Sequence, residues 1–321
     1  MATELISGKQ TAPKLSLRAR MERAFLSFVR LYTYYTPMPK GKYRLFTFAM
    51  GLCRFLPDRI ATKTKDGRRL YANFSTGMAA TLYFLGHFDK DLTDKVVTLI
   101  RSGETCLDVG ANFGWYTTLF GMLVGKDGAV HAFEPVPATY EELAANYGLM
   151  GRPKNVHINN LALGDEKKTL TINLFAGLAT GHASLSTQGR EDATPFECRM
   201  ITLDSYLEEN QVEHVDFVKV DIEGAEMMFL RGADKLFEQE TPPIFLMEMA
   251  LGQTKNFGYT PDDLVQYLAA KAEYDFYAID EMTRAVKKID GFPQGHIGAN
   301  VFCIPKGCFR DRLEWVPSEL R

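Results

Sequence analysis

Cysteine is scarce in this chain: there are five in 321 residues, at Cys53, Cys106, Cys198, Cys303 and Cys308. No two of them form a C-x-x-C pair, and the six histidines are scattered. That argues against a disulfide framework and signals no zinc site. It fits reduced, mostly buried thiols in a cytoplasmic protein. Long apolar runs are also missing. None approaches the ~20 residues of a membrane span, and the N-terminus lacks the apolar stretch of a secretory signal. Positive charge is not in excess either. The formal net charge is −3 and the pI about 6.1, so nothing electrostatic favours a nucleic-acid partner. There is no internal repeat.

At 46% hydrophobic residues, the chain can bury one large α/β core plus an appendage. Its most informative stretch is Cys106-Leu-Asp-Val-Gly-Ala-Asn-Phe-Gly-Trp-Tyr116. The pattern predicts a short strand, a tight turn at Gly110 and Gly114, and a helix from about Asn112. Such a turn aims backbone N–H groups and a helix dipole at a ligand. A dinucleotide fingerprint would read G-x-G-x-x-G, and Ala111 and Asn112 break it. Asp108, at the strand's carboxyl end, would repel a pyrophosphate. It suits a ligand bearing ammonium or sulfonium charge, and S-adenosylmethionine (SAM) carries both.

Four further strands follow with marked carboxyl ends. Ala129–Pro135 ends in Glu134, placed to hold a ribose diol, and Pro135 stops the strand. Val156–Gly164 is read as one strand whose end, Asn160 to Leu163, would lie beside an adenine. Phe217–Ile222 alternates apolar residues with Lys219 and Asp221, which puts those two on one side. Glu223 and Glu226 then open a helix and are expected to share its face, where acids also offset the dipole. Ile244–Met249 ends with a lone acid, Glu248, either paired in the core or facing the same crevice.

The N-terminal residues read differently. Met1 to Pro13 look disordered. Leu17 to Tyr35 spell a basic helix with Met21, Phe25, Phe28, Val29 and Tyr32 near one face. A second helix is expected from Tyr43 to Phe55, and a hairpin turns around Asp66-Gly67. This segment is expected to be a cap or a homodimer contact, not a membrane anchor. The boundaries drawn are a cap at 1–75, a catalytic domain at 76–310 and a C-terminal tail at 311–321. Thr169 to Phe175 and Phe196 to Leu203 read as an antiparallel pair around a polar loop that holds His182. A helix at Pro261 to Lys271 and strands at Phe276 to Asp280 and Asn300 to Ile304 complete the pattern.

Taken together these residues resemble the FkbM family of SAM-dependent methyltransferases. The matching pieces are Asp108–Gly114 with Trp115-Tyr116, Phe133-Glu-Pro135, Ala162-Leu-Gly164, Ile201–Asp204, Lys219–Glu226, Leu230–Ala233 and Leu246-Met-Glu248. They run from about residue 80 to 250. His87 and Asp89 depart from the family's usual residues in the lead-in. The resemblance implies a Rossmann-like methyltransferase fold. With the strand–helix alternation, the expectation is α/β: a seven-stranded, mostly parallel sheet with helices on both faces, the last strand antiparallel, and an N-terminal helical and hairpin cap. The resemblance also implies SAM as cofactor, held by Asp108, Gly110, Asn112, Gly114, Tyr116, Glu134, Pro135, Asn160, Ala162 and Asp221. It implies O-methylation of a small-molecule acceptor, a sugar, glycolipid or polyketide.

A hydroxyl is a poor nucleophile, so a base or a metal must help it. The candidates are His182, Asp221, Glu223 and Glu248. Asp221 with Glu248 is also a possible site for Mg2+ or Mn2+. Two other readings stay open at this stage, a nicotinamide-dependent oxidoreductase and a non-catalytic SAM-fold interaction module.

Overall fold

The structure is a computed structural model that describes residues 16–36, 41–53, 59–74, 77–175, 193–280, 283–292 and 298–321. Helices α1 (Leu17–Tyr35) and α2 (Lys42–Leu52) come first. The hairpin β1 (Arg59–Lys63) and β2 (Arg69–Asn73) follows, then α3 (Gly77–Leu85) and α4 (Lys90–Leu99). The central α/β part begins with β3 (Thr105–Val109), α5 (Trp115–Val124), β4 (Ala129–Phe133), α6 (Pro137–Leu149) and β5 (Val156–Asn159). A small excursion comprises β6 (Ala162–Leu163), β7 (Lys168–Phe175) and β8 (Ala193–Ile201). The chain then forms α7 (Leu203–Glu209), β9 (Phe217–Val220), α8 (Glu226–Arg231), β10 (Ile244–Ala250), α9 (Leu251–Thr254) and α10 (Pro261–Lys271). It ends in β11 (Tyr274–Ile279), β12 (Val286–Ile289) and β13 (Gly298–Pro305).

The central sheet has strand order β12-β11-β13-β10-β9-β3-β4-β5. Strands β10, β9, β3, β4 and β5 are parallel, and β13 runs antiparallel between β10 and β11. This is the expected α/β sheet with one more strand, β12, paired antiparallel to β11 at the edge. Successive residues feed opposite faces. Leu107, Val218, Phe245 and Met247 enter one core, and Cys106, Phe217, Ile244 and Leu246 the other. Near-continuous apolar strands are what a sheet covered on both sides demands.

The strand order reverses between β3 and β9, since β3 continues to β4 on one side while β9 leads to β10 on the other. Ligands of open α/β sheets bind at the carboxyl ends beside such a reversal. The expected single strand Val156–Gly164 is in fact two. At its end the Asn160 side chain donates to Glu134 O (2.8 Å) and Pro135 O (3.1 Å), and the chain leaves the sheet. Ala162 and Leu163 then pair with β8 in a separate three-stranded sheet, β6-β8-β7.

The cap has its own small core. Leu26 and Val29 of α1, Phe46 and Ala49 of α2, Ala72, Phe74, and Ala80, Tyr83 and Phe84 of α3 form it. Helix α3 therefore packs with the cap although it follows residue 75. The C-terminal segment is docked too: Leu313 and Val316 are buried, and Trp315 packs against Phe302 at 4.9 Å. Among the described residues no helix is long and apolar enough to cross a membrane.

Candidate active site

The turn after β3 is shaped by backbone conformations that only some residues tolerate. Gly110 has φ 80° and lies so close to β9 that a Cβ would sit 1.8 Å from Asp221 O. Asn112 (φ 49°) and Gly114 (φ 87°) are also left-handed, so α5 starts at Trp115, later than the expected Asn112. The N–H groups of this turn do not point outward, contrary to the expectation from sequence. Gly110 N and Ala111 N both donate to Phe133 O (3.0 and 2.9 Å), and Gly114 N donates to Ala111 O (2.9 Å). Phe113 N donates to Asn112 Oδ1 (2.8 Å), and Asn112 N donates to Glu134 Oε2 (2.9 Å). The end of β4 satisfies the turn where a phosphate would otherwise do so.

Glu134 is the hub of that arrangement. Its Oε1 also accepts from Val136 N (2.9 Å). Burial raises its pKa to about 7, against the pull of the two backbone hydrogen bonds. Two lone-pair directions of the carboxylate remain for a ligand. Asp108 lies deeper. It is fully buried, its Oδ2 accepts from Thr117 Oγ1 (2.6 Å), and its Oδ1 has no hydrogen-bond partner. Burial raises its pKa, and Lys219, its register partner on β9, opposes that rise.

Two chambers open at the strand ends. The larger, about 250 Å3, is bounded by Gly110, Glu134, Pro135 and Ala162, with apolar walls that include Leu163, Leu170, Ile172 and Met200 from the small sheet. The smaller, about 170 Å3, is bounded by Phe88, Asp89, Trp115, Tyr116, Lys219 and Asn300. Gly110, Asn112, Asp221 and Glu248 border both.

At this junction sits a polar file on one sheet face. Lys219 is buried, and its Nζ donates to Asp221 Oδ2 at 3.0 Å and lies 5.1 Å from the Tyr116 ring centroid. Burial alone would lower its pKa, but Asp221 and Asp108 outweigh that and hold it above its ordinary value. Burial, and then the negative charge of Asp221, raise Glu248 far above the usual carboxylate range, with a hydrogen bond joining the two acids. The two acids therefore titrate as a coupled pair, in which Glu248 is pushed toward its protonated form while Asp221 is bonded to Lys219. Next to them the Tyr116 hydroxyl donates to Asp89 Oδ2 at 2.7 Å.

The remaining sequence candidates fall elsewhere. Glu223 borders the larger chamber and accepts from Gln253 Nε2 (2.5 Å). It does not share a helix face with Glu226. Glu223 (φ 56°) and Gly224 (φ 104°) are left-handed, and α8 begins only at Glu226. Glu226 is fully buried, with Oε1 accepting from Gly224 N (3.1 Å), so it pins this loop from inside. Gly114 borders neither chamber: a Cβ there would meet Leu143 Cδ1 at 2.6 Å. Asn160 fastens the end of β4 by its side chain. His182 lies outside the described residues.

Asp221 and Glu248 suit a divalent cation poorly. The Lys219 ammonium already occupies Asp221 Oδ2, and among the described residues no three His, Cys, Asp or Glu side chains converge. Several residues in or behind the site were not singled out from sequence, Asp89 and Asn300 among those that border the smaller chamber. Asp89 had been noted only as a departure from a pattern. Tyr259 contacts the Glu226 loop through its hydroxyl. Asn300 pairs in register with Glu248, and its signal was a lone amide opening an apolar strand.

Residues 108–276, just over half of the chain, match the methyltransferase FkbM domain. The chain belongs to the FkbM methyltransferase family. It is similar to methyltransferase sdnD of Sordaria araneosa, 26% identical over 164 residues, or 42% of this chain and 62% of that protein. It is also similar to the AMB antimetabolite synthetase AmbE of Pseudomonas aeruginosa, 28% identical over 162 residues, or 40% of this chain but 8% of that one. The chain thus spans less than two thirds of either relative. Among solved structures, a methyltransferase FkbM from Methylobacillus flagellatus is similar with a TM-score of 0.41 and 11% identity, covering 88% of this chain and 59% of that one.

Proposed function

We propose that this FkbM-family chain is a SAM-dependent O-methyltransferase acting on a hydroxyl of a small molecule such as a sugar, glycolipid or polyketide. The observation that carries the reading is the Lys219–Asp221–Glu248 file where the two chambers meet. The larger chamber fits SAM in kind. Its apolar slot beside Leu161, Ala162 and Leu163 suits an adenine, and Glu134 offers acceptors to ribose hydroxyls. The closed N–H groups of the Gly110 turn offer no anion cradle, which disfavours a nicotinamide dinucleotide. Gly110, Asn112, Pro135 and Ala162 are assigned to the cofactor as walls, and Tyr116 to the smaller chamber. Asp108, Gly114 and Asn160 are assigned to the support of those walls.

When bound, SAM supplies a methyl group on a sulfonium, open to in-line attack by an oxygen. The chain must orient that oxygen and remove its proton. Asp221 is the assigned proton acceptor, held in place by its bond to Lys219. Glu248, pushed toward its protonated form, is hydrogen-bonded to it and limits where Asp221 can point. Glu223 closes the wall beside them, and His182 remains a second candidate base. The smaller chamber, with Phe88, Trp115 and Tyr116 as apolar walls and Asp89, Lys219 and Asn300 as polar groups, is the assigned acceptor side. Within this reading residues 1–75 serve as a cap, 76–310 as the catalytic domain and 311–321 as a docked tail.

The test is calorimetric titration with SAM and with NAD, followed by a mass-shift screen of hydroxylated sugars, glycolipids and polyketides. Addition of one methyl group at oxygen supports the proposal. Absence of SAM binding, or methylation only at nitrogen or carbon, overturns it.

A further inference from the structure

The N-terminal helix carries two apolar faces, and the structure covers only one. Ala19, Leu26, Val29 and Thr33 of α1 are buried. On the opposite side Leu17, Met21, Phe25, Phe28, Tyr32 and Tyr35 recur at intervals of three and four residues, the spacing of one helix face. All six are exposed, Phe28 by 70%. Helix α2 repeats the pattern with exposed Leu45, Phe48 and Leu52, and the two helices pack on the same small core. Of Met21, Phe25, Phe28, Val29 and Tyr32, the face expected to serve as a cap or homodimer contact, only Val29 is buried.

The charge around this face is unlike the rest of the chain. Between residues 16 and 53 there are seven Lys or Arg residues and a single acid, Glu22, in a protein whose net charge is −3. On α1, Arg18, paired with Glu22 at 3.0 Å, falls on one flank of the exposed stripe and Arg20 on the other, as 100° per residue requires, while Arg23 is exposed further round the helix. Arg44 adds a further exposed charge on α2. Aromatic and aliphatic side chains on one helical face, with Arg on its flanks, are what lets a helix lie in the headgroup region of a bilayer. The residues project from convex helix surfaces, which a fluid surface accommodates without matching shape. A second copy of the chain is disfavoured, because a two-fold contact here would bring two equally basic faces together.

We infer that the α1–α2 face is a docking surface for an anionic lipid bilayer, on which the protein rests peripherally without spanning it. The contact would also orient the catalytic part. Helix α3 packs in the same small core as α1 and α2, and within four residues of its end the chain supplies Phe88 and Asp89 to the smaller chamber. The proposal is independent of which acceptor is methylated.

The experiment is vesicle co-sedimentation of the full chain. Vesicles of phosphatidylcholine alone are compared with phosphatidylcholine mixed with phosphatidylglycerol. Binding should require the anionic lipid and weaken as salt is raised. The triple change Arg20→Glu, Arg23→Glu, Arg44→Glu should weaken it by at least about tenfold. The pair Phe28→Ser, Phe48→Ser should do the same, with unchanged thermal melts because both side chains lie in solvent. No binding to anionic vesicles, or equal binding by both variants, overturns the inference. So does sedimentation velocity showing a dimer that Phe28→Ser, Phe48→Ser dissociates, since the occupant would then be a second copy.

Discussion

Two acids at the β9–α8 junction stand only five residues apart, and their surroundings give them different work. Asp221 is bonded to Lys219 and borders both chambers. Asp221→Asn removes the charge at the junction and should lower kcat by at least about tenfold in single-turnover methylation with saturating SAM. Near-normal turnover in a folded variant would move the assignment to His182 or Glu248. Glu226 is buried, and its pKa is raised by that burial from 4.5 to about 7. The Tyr259 hydroxyl lies 2.6 Å from Gly224 O and 3.0 Å from Glu226 Oε2. It has one hydrogen, and the shorter contact takes it. The longer contact is then satisfied best by a proton on Glu226. Between those two pKa values the unfolded carboxyl is ionised while the folded one keeps its proton. The folded state binds more protons, so stability falls as pH rises through that window. Gln at this position mimics the protonated acid. Glu226→Gln should therefore match or exceed the wild-type Tm at pH 8 and flatten its fall, by an amount on the order of 2 kcal/mol. Thermal melts across that range decide it. A wild-type Tm that rises with pH contradicts the sign.

At the scale of elements, the cap is fastened to the cofactor turn by a few buried polar groups. Arg68, at the hairpin, donates through Nη1 to Trp115 O (2.6 Å) and Thr118 Oγ1 (2.7 Å) and through Nη2 to Asp66 Oδ2 (2.7 Å), with its guanidinium 4.1 Å from the Trp115 ring. Asn146 links Tyr71 N and Phe113 O, both at 2.7 Å. Arg68→Ala strips these bonds from the first turn of α5 and should cost about 2–4 kcal/mol. It should also weaken SAM binding, because α5 starts directly after the turn that borders both chambers. Denaturant melts and SAM titration check both effects, and an unchanged SAM affinity would separate the cap from the site. Strands β3, β4, β9 and β10 were legible in the sequence because buried parallel strands read as apolar runs and their closing acids interrupt them. The Lys219–Asp221 alternation showed through for the same reason. Helices α3, α4 and α7 and the edge strand β12 were not read. The sequence of α3 is apolar nearly all round, and β12 is a short, mostly polar edge. The walls Leu170, Ile172 and Met200 looked like ordinary core, since an apolar residue facing a cavity has the same pattern as one facing another side chain. The closed N–H groups of the Gly110 turn depend on acceptors 22 and 23 residues later, which no local motif reveals.

For the molecule as a whole, the reversal of strand order between β3 and β9 decides where a ligand goes, and the hydrogen bonding there decides which ligand. A Rossmann-like sheet can serve SAM or a dinucleotide at the same place. A dinucleotide brings a pyrophosphate, which needs backbone donors or cations at the first turn. Here the Gly110 and Ala111 donors are spent on Phe133 O and the Asn112 donor on Glu134. Glu134, which borders the larger chamber, offers acceptors and no donor cation there. A pyrophosphate would have to break those bonds and approach an acid, whereas the hydroxyl and ammonium donors of SAM can be met by it. Ligand-linked stability reads this difference without any knowledge of the acceptor. SAM at a hundredfold excess over its Kd should stabilise the fold by about 2.7 kcal/mol, a rise in Tm of roughly 4 °C for a chain of this size. NAD at the same concentration should leave Tm unchanged. Glu134→Ala should abolish most of the SAM-induced rise while leaving the strand order intact, since its carboxylate serves both the turn and the ligand side. A larger rise with NAD than with SAM would reverse the cofactor assignment, because the first turn would then be opening to accept phosphate.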